Sequence, residues 1–507
     1  MLSDGVNMRR RAFGNNDVAA GLAGLIFFFY MGAGSFFGAG GPEEFERGKL
    51  IEKVSCRGSA DQSYALYLPS DFVPTVKRPV LYLFDPGARG AIAVERFLQA
   101  AETYGWILIG SNNSRNGPWE PNLKAALAMF EDSNARLPVD ENRIYAGGFS
   151  GGSRAACVFP RVIKRQAAGI IGVGAGISNT GIRPEDIGAF SYFGIIGLAD
   201  FNYPEMKRLD ADLDGVKLPH RILFYEAPHQ WPDSGTCVRA VGWMEITAMK
   251  QGKRSRNEAV IDEMLGKELE NASALEAAGK TFWAARQYEA VSQLFDGLRD
   301  SGAAAEAGRI RRTREFAQFL KDEKKRDKRD AFIRGDFVRA YTLIEQAPSD
   351  RMRFVDVMKD LKLGFLKKEA KAAGTVEDRS FAYRILFNIS INMEQKAFES
   401  YDQKDWPRAS SFFELAAEAC PDGDRRERNI YFNMACVAAV RGDEKAALKH
   451  LETAVAKGFS DIQALENQKD LDGLRQTSRF RGILERLRKK QLPGFASERK
   501  SSFPPPE

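Results

Sequence analysis

Apolar and polar positions change rhythm along this chain. Between about residues 50 and 250, short apolar runs recur: YALYLP (64–69), PVLYLF (79–84), GWILIG (105–110), RIYAG (143–147), AGIIGVG (168–174), YFGIIG (192–197) and RILFYE (221–226). Several are apolar throughout instead of alternating, the pattern of strands buried on both faces. Helical stretches such as LKAALAMFEDSNARL fall between them. The alternation predicts a mostly parallel sheet flanked by helices, with ligands bound beyond the carboxyl ends of its strands.

After residue 250 the strand rhythm stops. KQGKRSRNE (250–258) reads as a linker or a helix start, and the remainder is rich in Ala, Glu, Lys, Arg and Leu. In AFESYDQKDWPRASSFFELAAEACP, Ala409, Phe413, Ala416 and Pro421 have the spacing of a second helix and its exit. In YFNMACVAAVRGDEKAALKHLETAVAKG, Tyr431, Met434, Ala435, Ala438, Gly442, Ala447, Leu451 and Ala454 mark a full helix-turn-helix. Small residues recur where two helices approach closely, and large ones where they interlock. A weaker copy lies at 277–295, while KDEKKRDKRD (321–330) reads as a solvated helix face.

The N-terminus has a third pattern. Arg9, Arg10 and Arg11 precede a charge-free run from Val18 to Gly41. That run is long enough to span a bilayer, and its positive head, apolar middle and small-residue tail are those of a secretory signal. Arginines before it and Glu43 and Glu44 after it orient the rest of the chain outside the cytoplasm. The expected organisation is a signal peptide or membrane anchor over 1–45, a strand–helix domain over 46–250, a helical domain over 251–492 and a disordered tail over 493–507.

Composition narrows the function. A length of 507 residues allows two or three domains, and 44% apolar with 28% charged residues is ordinary for globular protein. A net charge of +6 implies no nucleic-acid partner. Five cysteines have no metal-ligand spacing and are too few for a disulfide scaffold. A single Cys56–Cys237 bridge is compatible with an oxidising compartment.

The chemistry gathers at RIYAGGFSGGSRAA (143–156), where an apolar run gives way to a helical one. Gly148-Phe149-Ser150-Gly151-Gly152 fits the G-x-S-x-G nucleophile elbow in its strand–turn–helix context. A serine nucleophile needs a base, usually histidine. The chain has three: His450 lies on a repeat helix, His220 precedes RILFYE, and His229 follows that strand at its carboxyl edge. Asp200, just after YFGIIG, is the candidate to orient His229; Asp212 and Asp214 are rivals in a helix-like stretch. The order serine, acid, histidine is that of the α/β-hydrolase triad. For the oxyanion, one donor is the N–H of Gly151. A second is sought in Asp85-Pro86-Gly87-Ala88-Arg89-Gly90; Pro86 has no N–H, leaving Gly87 ahead of Ala88. Beside GWILIG, SNNSRNGPW places Asn112 and Asn116 as candidate substrate contacts or as partners within a tight loop.

Over residues 50–245 the chain resembles an α/β-hydrolase of the polyhydroxybutyrate-depolymerase, feruloyl-esterase and dienelactone-hydrolase-like branch. The resembling pieces are YALYLPSDF, LYLFDPGARG, YAGGFSGGSRAA, GLADFNY and HQWP. The resemblance implies nucleophile, acid and base roles for Ser150, Asp200 and His229. Two departures concern the substrate: Asp85-Pro86 stands where such esterases often have His-Gly, and Ala227-Pro228 where many have glycines. The later helices resemble tetratricopeptide repeats, whose period is about 34 residues and whose role is protein binding. Together these imply an exported serine hydrolase cleaving a small or polymeric carboxylic ester, without metal or organic cofactor. Peptide hydrolysis is shared chemistry. A protein partner would sit on the repeats, and the membrane would hold the N-terminal segment if it stays uncleaved. The alternative is an inactive hydrolase-fold scaffold whose helical half binds partners.

Overall fold

A computed structural model describes residues 45–178, 180–183, 190–346, 361–372 and 374–491. The signal or anchor run and the tail from 493 lie outside the described residues. Among those described, no helix is long and apolar enough to cross a membrane.

The chain divides into two compact units after Asp322. The first is built on eight strands: β1 (Ile51–Cys56), β2 (Ser59–Tyr67), β3 (Arg78–Phe84), β4 (Ile107–Ser111), β5 (Val139–Phe149), β6 (Gly169–Val173), β7 (Ser191–Gly197) and β8 (His220–Tyr225). Their order in the sheet is β1-β2-β4-β3-β5-β6-β7-β8. β2 pairs antiparallel with β1 and β4, and every pairing from β4 across to β8 is parallel. The exchanged order of β3 and β4 follows from right-handed crossovers that start in the middle of the sheet and wind outward both ways. This is the α/β-hydrolase arrangement. Seven of the strands match the apolar runs; β1 does not, because as an edge strand it exposes Glu52, Lys53 and Ser55 and has no continuous apolar run.

Helices cover both faces: α1 (Gly90–Tyr104), α2 (Trp119–Arg136), α3 (Gly151–Val162), α4 (Tyr203–Gly215) and α5 (Ser234–Lys250). Alternate residues of β3 point to opposite layers, as a strand requires. Tyr82 packs on Phe130 of α2 and Phe159 of α3, with ring centroids 5.7 and 4.9 Å apart. Leu81 and Leu83 join Ala93, Val94 and Phe97 of α1 and Ala240, Val241 and Met244 of α5.

That second layer continues past residue 250. Helices α6 (Glu258–Ala277), α7 (Thr281–Phe295) and α8 (Ala303–Arg311) contribute Ile261, Met264, Ala285, Val291 and Ile310 to the same core. Buried Glu268 of α6 binds Arg221 of β8 at 2.8 Å and Arg239 of α5 at 2.7 Å. Gln287 of α7 accepts from Arg221 and Arg239. The change of composition near 250 therefore marks the last strand, and the first unit runs on to 322. The weak repeat copy at 277–295 falls largely on α7, within this core.

Helix α9 (Arg314–Gln346) carries the chain across the division. Its stretch 321–330 is not wholly solvated. Glu323, Arg326 and Asp330 share one side at i, i+3 and i+7 and are buried, with Arg326 bonded to Glu323 and to Asp378 at 3.0 Å each.

The second unit is all helical among its described residues: α10 (Leu363–Lys371), α11 (Val376–Asp402), α12 (Trp406–Ala419), α13 (Arg426–Val440), α14 (Glu444–Ala456), α15 (Ile462–Asn467), a 3₁₀ turn (Lys469–Leu474) and α16 (Ser478–Gln491). Phe381, Ile385 and Met393 of α11 share one core with Phe412, Phe413 and Ala416 of α12. Ala435 and Ala438 of α13 share another with Ala447, Leu451 and Ala454 of α14. Helices α12 and α14 start alike. A residue at positive φ (Lys404, Gly442) reverses the chain, and the next, Asp405 or Asp443, caps the helix N-terminus.

Candidate active site

β5 delivers Ser150 to the carboxyl edge of the sheet. The residue sits at φ 55° and ψ −119°, immediately before the first turn of α3. So sharp a corner brings backbones together. A Cβ on Gly148 would lie 2.4 Å from the Gly152 carbonyl oxygen, and one on Gly152 would lie 2.1 Å from that of Phe84. Glycine at both positions lets the end of β5 and the start of α3 press against the end of β3. The Ser150 N–H donates to Val173 O at 2.8 Å. Gly151, the first residue of α3, leaves its N–H without a partner among the described residues, at the positive end of a helix.

His229 follows β8 and Asp200 follows β7, so both meet Ser150 on that edge. Ser150 Oγ is 3.0 Å from His229 Nε2, and His229 Nδ1 is 2.7 Å from Asp200 Oδ2. Asp200 is 1% exposed. Its other oxygen accepts from the Asn202 N–H at 2.8 Å, while Asn202 Nδ2 donates to Gly174 O at 2.7 Å. The imidazole lies between Phe149 and Phe201, with ring centroids 4.6 and 4.5 Å away. One carboxylate oxygen therefore faces the ring, two aromatic faces limit its tilt, and the remaining nitrogen points at the serine. Such a line can take the serine proton and carry the resulting positive charge beside Asp200.

The rival residues lie elsewhere. His220 opens β8 at its amino end and bonds Leu218 O at 2.8 Å; Asp214 faces it at 3.7 Å. Asp212 is exposed on the same helix as Asp214. His450 is in the second unit against Tyr431.

Gly87 departs from expectation. Its N–H donates to Asp85 Oδ1 at 2.8 Å, and the Ala88 N–H donates to Asp85 O at 3.2 Å. With Pro86 lacking an N–H, neither Gly87 nor Ala88 is left with a free donor. The reason is Asp85, fully buried and anchored by Arg89 Nε at 2.7 Å and Trp231 Nε1 at 2.9 Å. A carboxylate held there is a stronger acceptor than any neutral group. Trp231, two residues past His229, thereby ties the histidine loop to this turn. Sequence reading missed Trp231, Asn202, Phe149 and Phe201, although HQWP, ADFN and the i, i+4 spacing of Asp85 and Arg89 are visible in it.

The two asparagines part company. Asn112 Nδ2 donates to Glu52 O at 2.9 Å, which makes it a brace between the loop after β4 and β1. Asn116 is exposed and stands over the elbow. A Cβ on Gly151 would lie 1.9 Å from Asn116 Oδ1. All five cysteines are free thiols, Cys56 and Cys237 included.

No protein-family model matches the chain, and no curated protein matches it. Among solved structures, S-formylglutathione hydrolase FrmB from Staphylococcus aureus aligns at 14% identity and TM-score 0.33, over 39% of this chain and 98% of that one. Thermogutta terrifontis esterase 2 phosphonylated by sarin aligns at 14% and 0.32, over 43% and 99%. An esterase from Pyrobaculum calidifontis aligns at 14% and 0.30, over 41% and 87%. Likenesses this low add nothing to the strand order and the site geometry.

Proposed function

We propose that this chain is an exported serine hydrolase that cleaves carboxylic esters through an acyl-enzyme. Supporting this is the hydrogen-bonded line from Asp200 through His229 to Ser150, held at a positive-φ elbow on the carboxyl edge of the sheet. Ser150 Oγ attacks the ester carbonyl while His229 Nε2 takes its proton. The carbonyl electron pair moves onto oxygen, to which the Gly151 N–H donates a hydrogen bond. Collapse expels the alcohol, which leaves with the proton from His229. Water, deprotonated by the same nitrogen, then releases the acid. The second unit would dock a protein partner in the manner of tetratricopeptide repeats, and the N-terminal segment would export or anchor the chain.

A fluorophosphonate probe tests this directly. The folded wild-type protein is expected to be labelled and to hydrolyse short aryl esters. Ser150→Ala is expected to abolish labelling and to cut kcat by about 10⁴-fold or more. Absence of labelling on folded wild-type protein sinks the enzyme reading. One observation favours the second reading, a catalytically silent scaffold: the Gly87 N–H is closed off by Asp85.

A further inference from the structure

Acyl transfer needs donors aimed at the oxygen on which charge develops, and one backbone N–H is a thin supply. In the turn after β3 the two candidate donors are taken, since Gly87 and Ala88 both donate to Asp85. We propose that the side-chain amide of Asn116 is the second oxyanion donor, in place of the Gly87 N–H. The proposal rests on the ester-hydrolase reading and deepens it.

Three observations place the amide. The Asn116 N–H donates to Pro86 O at 2.9 Å, and Arg115 forms an antiparallel bridge with Gly87. These contacts fasten the backbone of the 112–118 loop to the turn where a second donor is ordinarily sought, and they survive any change of side chain. The Asn116 carboxamide then lies over Gly151, the residue that supplies the first donor. A Cβ built on Gly151 would meet Oδ1 at 1.9 Å, Cγ at 3.0 Å and Nδ2 at 3.7 Å. Any side chain at 151 would displace Asn116, which gives Gly151 a purpose at a helix position with no need for positive φ. Among the described residues, no group hydrogen-bonds that carboxamide. Nothing therefore fixes which end faces inward, and a half-turn about χ2 brings Nδ2, with its two N–H groups, to where Oδ1 stands. Asn112, the other candidate, has its Nδ2 committed to Glu52 O.

In the reaction the amide exchanges no proton. As the Ser150 Oγ–carbon bond forms and the carbonyl π pair moves to oxygen, the Asn116 and Gly151 N–H groups hold the oxyanion. They relax when the alkoxide departs with the proton from His229.

The test uses the full-length protein, a short aryl ester, and an aryl trifluoromethyl ketone that forms a tetrahedral adduct on the serine. Asn116→Ala is expected to lower kcat by about 10²–10³-fold with little change in KM, and to weaken the ketone by the same factor. Asn116→Asp, equal in size but bringing negative charge to the oxyanion, is expected to fall below Asn116→Ala. It also serves as the reporter should the alanine variant fail to fold. A kcat for Asn116→Ala within about threefold of wild type, with Ser150→Ala inactive, overturns this proposal and leaves the hydrolase reading standing. A fall in kcat with unchanged ketone affinity makes Asn116 a positioning residue and also overturns it. Wild-type protein that neither labels nor hydrolyses overturns the hydrolase reading itself, and this proposal with it.

Discussion

His220 shows how place in the fold decides the role of a scarce residue. It shares β8 with the approach to His229 but opens the strand at the opposite end, against α4. Burial works against its protonated form. Hydrogen bonds to Asp210 and the Leu218 carbonyl, with the charges of Asp210 and Asp214, outweigh that burial and raise its pKa above the ordinary 6.5. Asp210 is also paired with Arg286 at 2.6 Å, so the group is a small charge cluster. A raised histidine pKa means that the folded state binds the proton more tightly than the unfolded chain. The stabilisation is complete below the ordinary value and is lost as pH rises through the raised one. His220→Gln is therefore expected to lower Tm by a few degrees in mildly acidic buffer and by less in mildly alkaline buffer, with the Ser150–His229–Asp200 line untouched. A gap between the two proteins that widens with pH would contradict this.

At the scale of elements, helices α6 and α7 are bound to the sheet by charge as well as by apolar contact. Glu268 is 1% exposed and faces two guanidinium groups. Burial raises its pKa, but Arg221 and Arg239 more than reverse this and hold the carboxyl well below the usual carboxylate range. Removing one partner of such a cluster leaves the others buried and uncompensated. Glu268→Gln is expected to cost about 3–5 kcal/mol in denaturant unfolding of the first unit. A loss below about 1 kcal/mol would show that the arginines find water instead. The elbow is the converse case, a local design visible in five residues. Gly148 and Gly152 are required by contacts with β3 and α3, and Ser150 takes its positive φ between them.

For the whole molecule, the question is where the first unit ends. A chain cut at 250 keeps every strand and the full Ser150–His229–Asp200 line, yet loses α6 and α7, whose Glu268 and Gln287 bind Arg221 of β8 and Arg239 of α5. A chain of residues 45–322 keeps that layer. The longer piece is expected to melt cooperatively and to retain fluorophosphonate labelling, and the shorter one to aggregate or lose cooperative melting. A stable, labelled 45–250 piece would move the boundary back to the end of the strands. In the second unit, α12 and α14 share the same start, a positive-φ residue followed by a capping aspartate.

What the sequence determined alone is local. Short apolar runs mark strands, so seven of eight were legible, the edge strand β8 among them; β1, with Glu52, Lys53 and Ser55 exposed, has no such run. Ser150 was legible because an elbow needs glycines on both sides of one residue, and His229 and Asp200 because each follows a strand that ends on the same edge. Tertiary structure decided what depends on residues far apart in the chain. Asp85 closes the Gly87 N–H because Trp231 arrives from beyond β8, and Asn116 reaches Gly151 because its loop is pinned to Pro86. Helices after 250 join the first core because Glu268 meets Arg221 and Arg239. A one-dimensional pattern records which residues want burial or a turn; which of them share a hydrogen bond is set only when the chain closes on itself.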